Sequence, residues 1–315
     1  MVVTILFSMG YTIYFPCVPK IVSKIFTTRK MATASGIYLA SFGLGAAAGI
    51  SLSQPLFGSN WQRSFLFSGF LSLLVAVLWL ILGKDSWSQP KSKTDQGKHL
   101  SAEKSPWRGV KRVFKLKTVW LITAVFFAYI GARSCWVSFG FPYLVTMKGI
   151  KETLAGYIMM MDNLGYITGT IIIPYFSDRV GLRRPVLIYF SLLFSFLLLV
   201  FTRLPTGSIL WMMPYLIGIC FGAINPLVYV MASESKQIGS EYVGAAVGVV
   251  LSVGNLSGLL LPMIMGKIIG SLETASALQY QISWIGLSIL TGGMIFASGL
   301  MIEETGSRAK SVRRF

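Results

Sequence analysis

The chain is a succession of long apolar stretches separated by short polar ones. Apolar runs fall at 1–23, 32–55, 62–83, 118–146, 153–176, 186–203, 208–232, 242–270 and 280–302. A helix that crosses a bilayer needs about 20 mostly apolar residues, and each run is close to that length. Membrane strands would show short segments of alternating polarity instead, and the sequence has none. The pattern predicts an all-α fold, a polytopic membrane helix bundle with nine transmembrane helices.

One polar segment is long. It runs from Lys84 to Lys117 and divides three spans from six. Ser86 to Ser105 is rich in Ser, Lys and Gln and reads as a flexible linker. Trp107 to Lys117 mixes basic and apolar residues, which suits either a helix lying on the inner membrane surface or a solvated charged tether. The expected organisation is a three-helix segment at 1–83, a cytoplasmic linker at 84–117, a six-helix bundle at 118–302 and a cytoplasmic tail at 303–315.

Composition agrees with this reading. Hydrophobic residues make up 54% of the chain and charged residues 12%, against about 25% charged in soluble domains. The net charge is +17, and its placement matters more than its size. With spans alternating in direction, one side holds 22 of the 28 Lys and Arg. The other side holds Arg63, Lys148, Lys151, Arg203 and Lys267, and Arg133 lies inside a span. The rich side is expected to be cytoplasmic. A multi-pass plasma-membrane protein follows, with Phe315 inside and the Met1 side extracytoplasmic. This placement accounts for the basic balance without a nucleic-acid partner. Cys17, Cys135 and Cys220 all fall in spans and read as reduced packing residues. The single histidine, His99, lies in the linker. With no paired-His motif, phosphate-cradling loop or Cys cluster, neither catalysis nor a cofactor or metal is expected.

An internal repeat links the two ends. At a shift of 212 residues, Gly10 meets Gly222, Ser23 meets Ser235, Lys24 meets Lys236 and Ala34 meets Ala246. Gly36, Leu39 and Leu44 likewise meet Gly248, Leu251 and Leu256. The first three spans therefore correspond to the last three, in the same direction, as a parallel repeat. The middle three have no upstream counterpart. A complete duplication would place three more spans before Met1, so truncation at the start is expected.

Between the fifth and sixth spans runs Pro174-Tyr-Phe-Ser-Asp178-Arg179-Val-Gly181-Leu-Arg183-Arg184-Pro185. This resembles the signature loop of the major facilitator superfamily, in outline Gly-x-x-x-Asp-Arg-x-Gly-Arg-Arg. Asp178, Arg179, Gly181, Arg183 and Arg184 match that pattern, while Pro174 replaces the first Gly and Leu182 precedes the Arg pair. In the family the loop joins helices two and three, with a weaker copy joining eight and nine. The second place fits here, which makes the spans helices four to twelve of twelve. The resemblance implies secondary transport by alternating access, and a conformational latch at Asp178, Arg179, Gly181, Arg183 and Arg184. Charge-assisted bonds from such a loop can tie two moving bundles together. A loop that only anchors topology is the other reading.

Two ionisable residues sit deep in spans, where charges are costly and face a cavity or each other. Arg133 is midway along the fourth span and Asp162 midway along the fifth. Tyr129, Arg133 and Trp136 share one helix face, as do Met159, Asp162, Tyr166 and Thr170. Arg133 with Tyr129 and Trp136 is expected to bind a small anionic substrate, and Asp162 to carry a coupling proton or to control the charge of Arg133. A structural ion pair is the competing reading. Asn225, Tyr229, Asn255 and Tyr14 are further candidate cavity liners, with interhelical packing as their alternative role. The glycine pairs Gly45/Gly49, Gly165/Gly169 and Gly254/Gly258 read as close helix contacts. The partners expected are a small-molecule substrate and membrane lipid, with the complete protein a monomer. Two other functions stay open: efflux of hydrophobic compounds, and an inactive fragment or membrane interaction subunit.

Overall fold

The computed structural model describes residues 18, 22, 25–27, 29–57, 61–82, 106–239, 241–271 and 275–308. Among these, every regular element is a helix: α1 Met31–Phe57, α2 Trp61–Leu82, α3 Pro106–Phe114, α4 Lys117–Thr146, α5 Glu152–Val180, α6 Arg184–Phe201, α7 Ser208–Glu234, α8 Val243–Asn255, α9 Ser257–Ile269 and α10 Ala277–Met301. The run at 1–23, with Tyr14 and Cys17, lies outside the described residues apart from Val18 and Val22. The other eight runs each become helix within a few residues of the expected ends. Among the described residues, six helical stretches are long and apolar enough to cross a membrane: Gln62–Ile81, Lys117–Thr146, Arg184–Phe201, Ser208–Glu234, Val243–Ile269 and Ala277–Met301. The chain is a polytopic helical membrane protein. Met31, which opens α1, and Val243, which opens α8, are 212 residues apart.

The run at 242–270 is not one unbroken helix. It divides at Leu256 into α8 and α9. The Leu256 amide bonds back three residues, to the Val253 carbonyl at 3.3 Å. Asn255 Nδ2 donates to the Leu251 carbonyl at 2.8 Å, and Ser257 Oγ to the Gly254 carbonyl at 2.6 Å. Polar side chains thus satisfy carbonyls that the tightened turn leaves over, as the low dielectric of a membrane demands.

The chain divides into two compact units, residues 1–44 with 109–315, and residues 45–108. The smaller unit contains α2, whose described side chains lack a buried face; Trp79 and Leu80 are among its exposed residues. In the larger unit, α4 packs against α7, α8, α9 and α10, while α6 packs against α7 and α10. α5 and α7 pack most closely, and glycine is the reason. A Cβ on Gly165 or Gly169 of α5 would collide with the backbone of Tyr215 or Ile219 in α7. Reciprocally, a Cβ on Gly218 or Gly222 of α7 would collide with the Asp162 or Tyr166 carbonyl. Small residues let membrane helices pack backbone to backbone, which dispersion rewards where no hydrophobic effect operates. Gly254 and Gly258 likewise receive Phe126 and Ser134 of α4, whereas Gly45 meets no described atom within 4 Å.

The helix ends are tied in specific ways. Gly181 closes α5 in the left-handed conformation, at φ 75°, with its amide on the Ser177 carbonyl at 2.8 Å. At α10, Ser276 and Gln279 form a capping box, and Gln279 Oε1 accepts the Ser276 amide at 2.7 Å. Lys148 Nζ donates to the Leu204 carbonyl at 2.6 Å just beyond α6. Burial draws that ammonium below the ordinary lysine range.

Candidate functional site

The glycine crossing fixes the backbone of α5 at Asp162 and Tyr166, and these two residues build the buried polar centre. Arg133 of α4 donates through Nη1 to Asp162, at 2.6 Å to Oδ1 and 2.5 Å to Oδ2. The Asp162 side chain is 3% exposed and that of Arg133 21% exposed. Both bonds use one guanidinium nitrogen, and among the described residues the rest of the fork has no hydrogen-bond partner. The guanidinium also lies over the Phe221 ring at 4.8 Å and the Tyr166 ring at 5.9 Å. Aromatic faces attract a cation most strongly where water is scarce. Asn225 Nδ2 donates to the Tyr166 hydroxyl at 2.7 Å. α4, α5 and α7 thus converge on one cation, one carboxylate, one phenol and one amide.

The other expected site residues fall around this centre in different ways. Tyr129 is buried, edge-on to Phe221 at 5.5 Å. Trp136 is wholly buried beside Asp162, edge-on to Phe201 at 4.9 Å and Trp284 at 5.8 Å. It closes the site on one side and offers no open ring face. Tyr229 is buried edge-on to Phe126. Asn255 is on the surface, with its amide engaged at the helix break. Tyr14 lies outside the described residues. Sequence reasoning put Tyr166 on the helix face of Asp162 without naming it as a binding residue, and it did not single out Phe221. Spacing carried a signal for both, because Tyr166 follows Asp162 by four residues and Phe221 precedes Asn225 by four.

A second polar centre lies at the α5–α6 loop. The Asp178 carboxylate accepts the Thr33 amide at 2.7 Å, the Thr33 hydroxyl at 2.5 Å and the Ala32 amide at 3.4 Å. These groups open α1, whose first turn carries no acid of its own. Asp178 supplies the negative charge that a helix N-terminus favours. Its other side pairs with Arg183 Nη2 at 2.7 Å, and Arg183 pairs in turn with Glu234 at the end of α7 at 3.0 Å. Arg183 Nη1 also donates to Ser177 Oγ at 3.1 Å. Burial disfavours the Arg183 charge, but Glu234 and Asp178 outweigh it and raise the guanidinium above its usual range.

The remaining loop residues point elsewhere. The amides of Arg183 and Arg184 donate to Glu304, at 2.7 and 3.1 Å, so Glu304 caps α6 as Asp178 caps α1. Arg184 Nη2 donates to the Leu300 carbonyl at 2.6 Å. Arg179 is exposed and lies over the Tyr175 ring at 4.9 Å. Thr33, Glu234 and Glu304 were missed from sequence. Each comes from a helix end far along the chain; the scarcity of acids hinted at Glu234 and Glu304, and nothing hinted at Thr33.

Residues 1–262 match the family model described as Major Facilitator Superfamily. The Probable galactarate/D-glucarate transporter GarP of Escherichia coli (strain K12) is 24% identical over 295 residues, covering 84% of this chain and 64% of that protein. The Sialic acid transporter NanX of the same strain is 24% identical over 275 residues, covering 83% of this chain and 62% of that protein. The chain spans less than two thirds of the length of these curated relatives.

Proposed function

The chain belongs to the major facilitator superfamily, and on that premise we propose that it moves a small carboxylate-bearing solute across the membrane by alternating access, coupled to protons. The observation that carries this reading is the buried Arg133–Asp162 pair, in which one guanidinium nitrogen holds the carboxylate and the Arg133 side chain stays 21% exposed. A buried cation requires a counter-charge, and Asp162 supplies it in the resting site. When Asp162 takes a proton, Arg133 loses that partner and accepts a substrate carboxylate in its place. Proton and anion therefore bind together, each favouring the other, by the reciprocity that linkage requires. Tyr166 and Asn225 lie beside the fork and suit the hydroxyl groups of a sugar acid. The printed names of GarP and NanX, galactarate/D-glucarate and sialic acid, support a carboxylate.

The Asp178–Thr33 and Arg183–Glu234 contacts act in this reading as the latch between conformations. They join the start of α1 to the ends of α5 and α7. With the basic-rich side taken as cytoplasmic, the latch in this reading closes the cytoplasmic side.

The test is uptake of labelled galactarate and sialic acid into proteoliposomes, with and without an inward proton gradient. The reading expects gradient-stimulated uptake, lost in Arg133→Ala and freed of pH dependence in Asp162→Asn. Unaltered substrate affinity in Arg133→Ala, with an unaltered pH profile in Asp162→Asn, would sink it.

A further inference from the structure

We propose that the junction of α3 and α4 is a docking surface for anionic phospholipid headgroups. Residues 106–120 carry five basic side chains, Arg108, Lys111, Arg112, Lys115 and Lys117, and no acid. One face of α3 is spent on the bundle. Val113 is fully buried and Val110 partly so. Gly109 lets the helix approach Tyr242, whose ring would lie 3.3 Å from a Cβ there. The Arg112 guanidinium lies over that same ring at 4.9 Å. Tyr242 is the N-cap of α8, so α3 is clamped to a spanning helix.

The face left over has a specific composition. Lys111, Phe114, Lys115 and Lys117 are exposed. Lys111 and Phe114 are three residues apart and share a side of α3. Phe114 meets Trp120, the fourth residue of α4, with ring centroids 5.6 Å apart and edge-on. Trp120 Nε1 donates to the Phe114 carbonyl at 2.8 Å, which holds the pair in place. Both rings are 43% exposed. Exposed aromatic rings at the first turn of an apolar spanning helix mark the level of the membrane interface. Three exposed lysines, Lys111, Lys115 and Lys117, lie within three residues of Phe114 along the chain. Glu241, exposed next to Tyr242, offsets at most one of these charges.

Charge complementarity selects the occupant. The positive-inside distribution puts this surface on the cytoplasmic leaflet, whose anionic lipids attract basic segments beside spanning helices. A soluble phosphate would satisfy the lysines but not the rings; a bilayer interface satisfies both. Each cation near such a surface strengthens contact about fivefold, so three give on the order of a hundredfold. The proposal depends on the membrane class of the chain and not on what it transports.

Hydrogen exchange of the full chain in nanodiscs tests this. One set contains phosphatidylcholine alone, the other roughly a third phosphatidylglycerol. Amides across 110–117 are expected to exchange about tenfold more slowly with phosphatidylglycerol, and the difference to narrow in about 0.5 M salt. Lys111→Gln/Lys115→Gln/Lys117→Gln should abolish it, and the triple Arg variant should retain it, with exchange in the α4 core around Val125 unchanged in both. Equal exchange in the two lipids, or a difference in the unmodified chain that ignores salt, would overturn the proposal. So would equal protection by soluble glycerol phosphate in phosphatidylcholine alone, which would mark a free-phosphate site instead.

Discussion

Gly218 of α7 lies directly against the backbone carbonyl of Asp162 on α5, with no room for a methyl group between them. The contact that packs two helices is therefore the contact that sets the position of the buried carboxylate.

Gly218→Ala forces α5 and α7 apart, because the atom it meets is backbone and cannot swing aside. Overpacking of this kind costs about 1–3 kcal/mol, read as a lowered thermal unfolding midpoint in detergent. Gly286→Ala in α10 is the control, since no described atom lies within 4 Å of its Cβ position. It should be neutral or slightly stabilising, by up to about 1 kcal/mol. Equal effects of the two substitutions would refute the packing argument.

Arg133→Ala leaves Asp162 buried without its cation and should cost about 3–5 kcal/mol. Arg133→Met with Asp162→Leu removes both charges and should recover most of that loss. A double-mutant cycle measured by denaturation gives the coupling directly. Additive single and double effects would mean that the pair does not interact.

Arg183 is bonded through three nitrogens to Asp178, Ser177 and Glu234. A lysine offers one point charge in place of the fork. Arg183→Lys is therefore expected to destabilise by about 1–3 kcal/mol despite the retained charge. Thermal melts comparing it with Arg179→Lys, whose side chain is exposed, should show a large effect only at 183.

Asp178→Asn removes the charge that holds both the start of α1 and Arg183. Spin labels at the exposed positions Ile37 and Phe176 report the α1–α5 separation. The variant should add a longer-distance population, by a factor of about 5–150 for a coupling of this kind. A distance distribution identical to that of the unmodified chain would remove the latch role.

Ser276→Ala takes away the hydroxyl half of the α10 capping box. The expected loss is about 1 kcal/mol, with faster hydrogen exchange confined to the first turn of α10. Unchanged exchange there would show that the box contributes nothing.

Much of this molecule was legible in the chain itself. Helix positions follow from the length of the apolar runs, since a bilayer core of fixed thickness admits little else. Arg133 and Asp162 stood out because ionised groups at that depth need a reason. The loop from Asp178 to Arg184 stood out by its charges. Beyond a candidate pairing of Arg133 with Asp162, partner identity was not legible. Lipid is as apolar as a protein interior, so membrane helices carry no polar stripe to mark the buried face. Tyr129, Trp136 and Tyr229 looked like equivalent cavity liners, yet Trp136 closes a dense cluster with Phe201 and Trp284. Thr33, Glu234 and Glu304 meet the loop only because three distant helix ends converge there. Sequence alone determined where the helices run and which charges must be neutralised. Only the tertiary packing, through the backbone contact that four glycines permit between α5 and α7, decided which groups neutralise them.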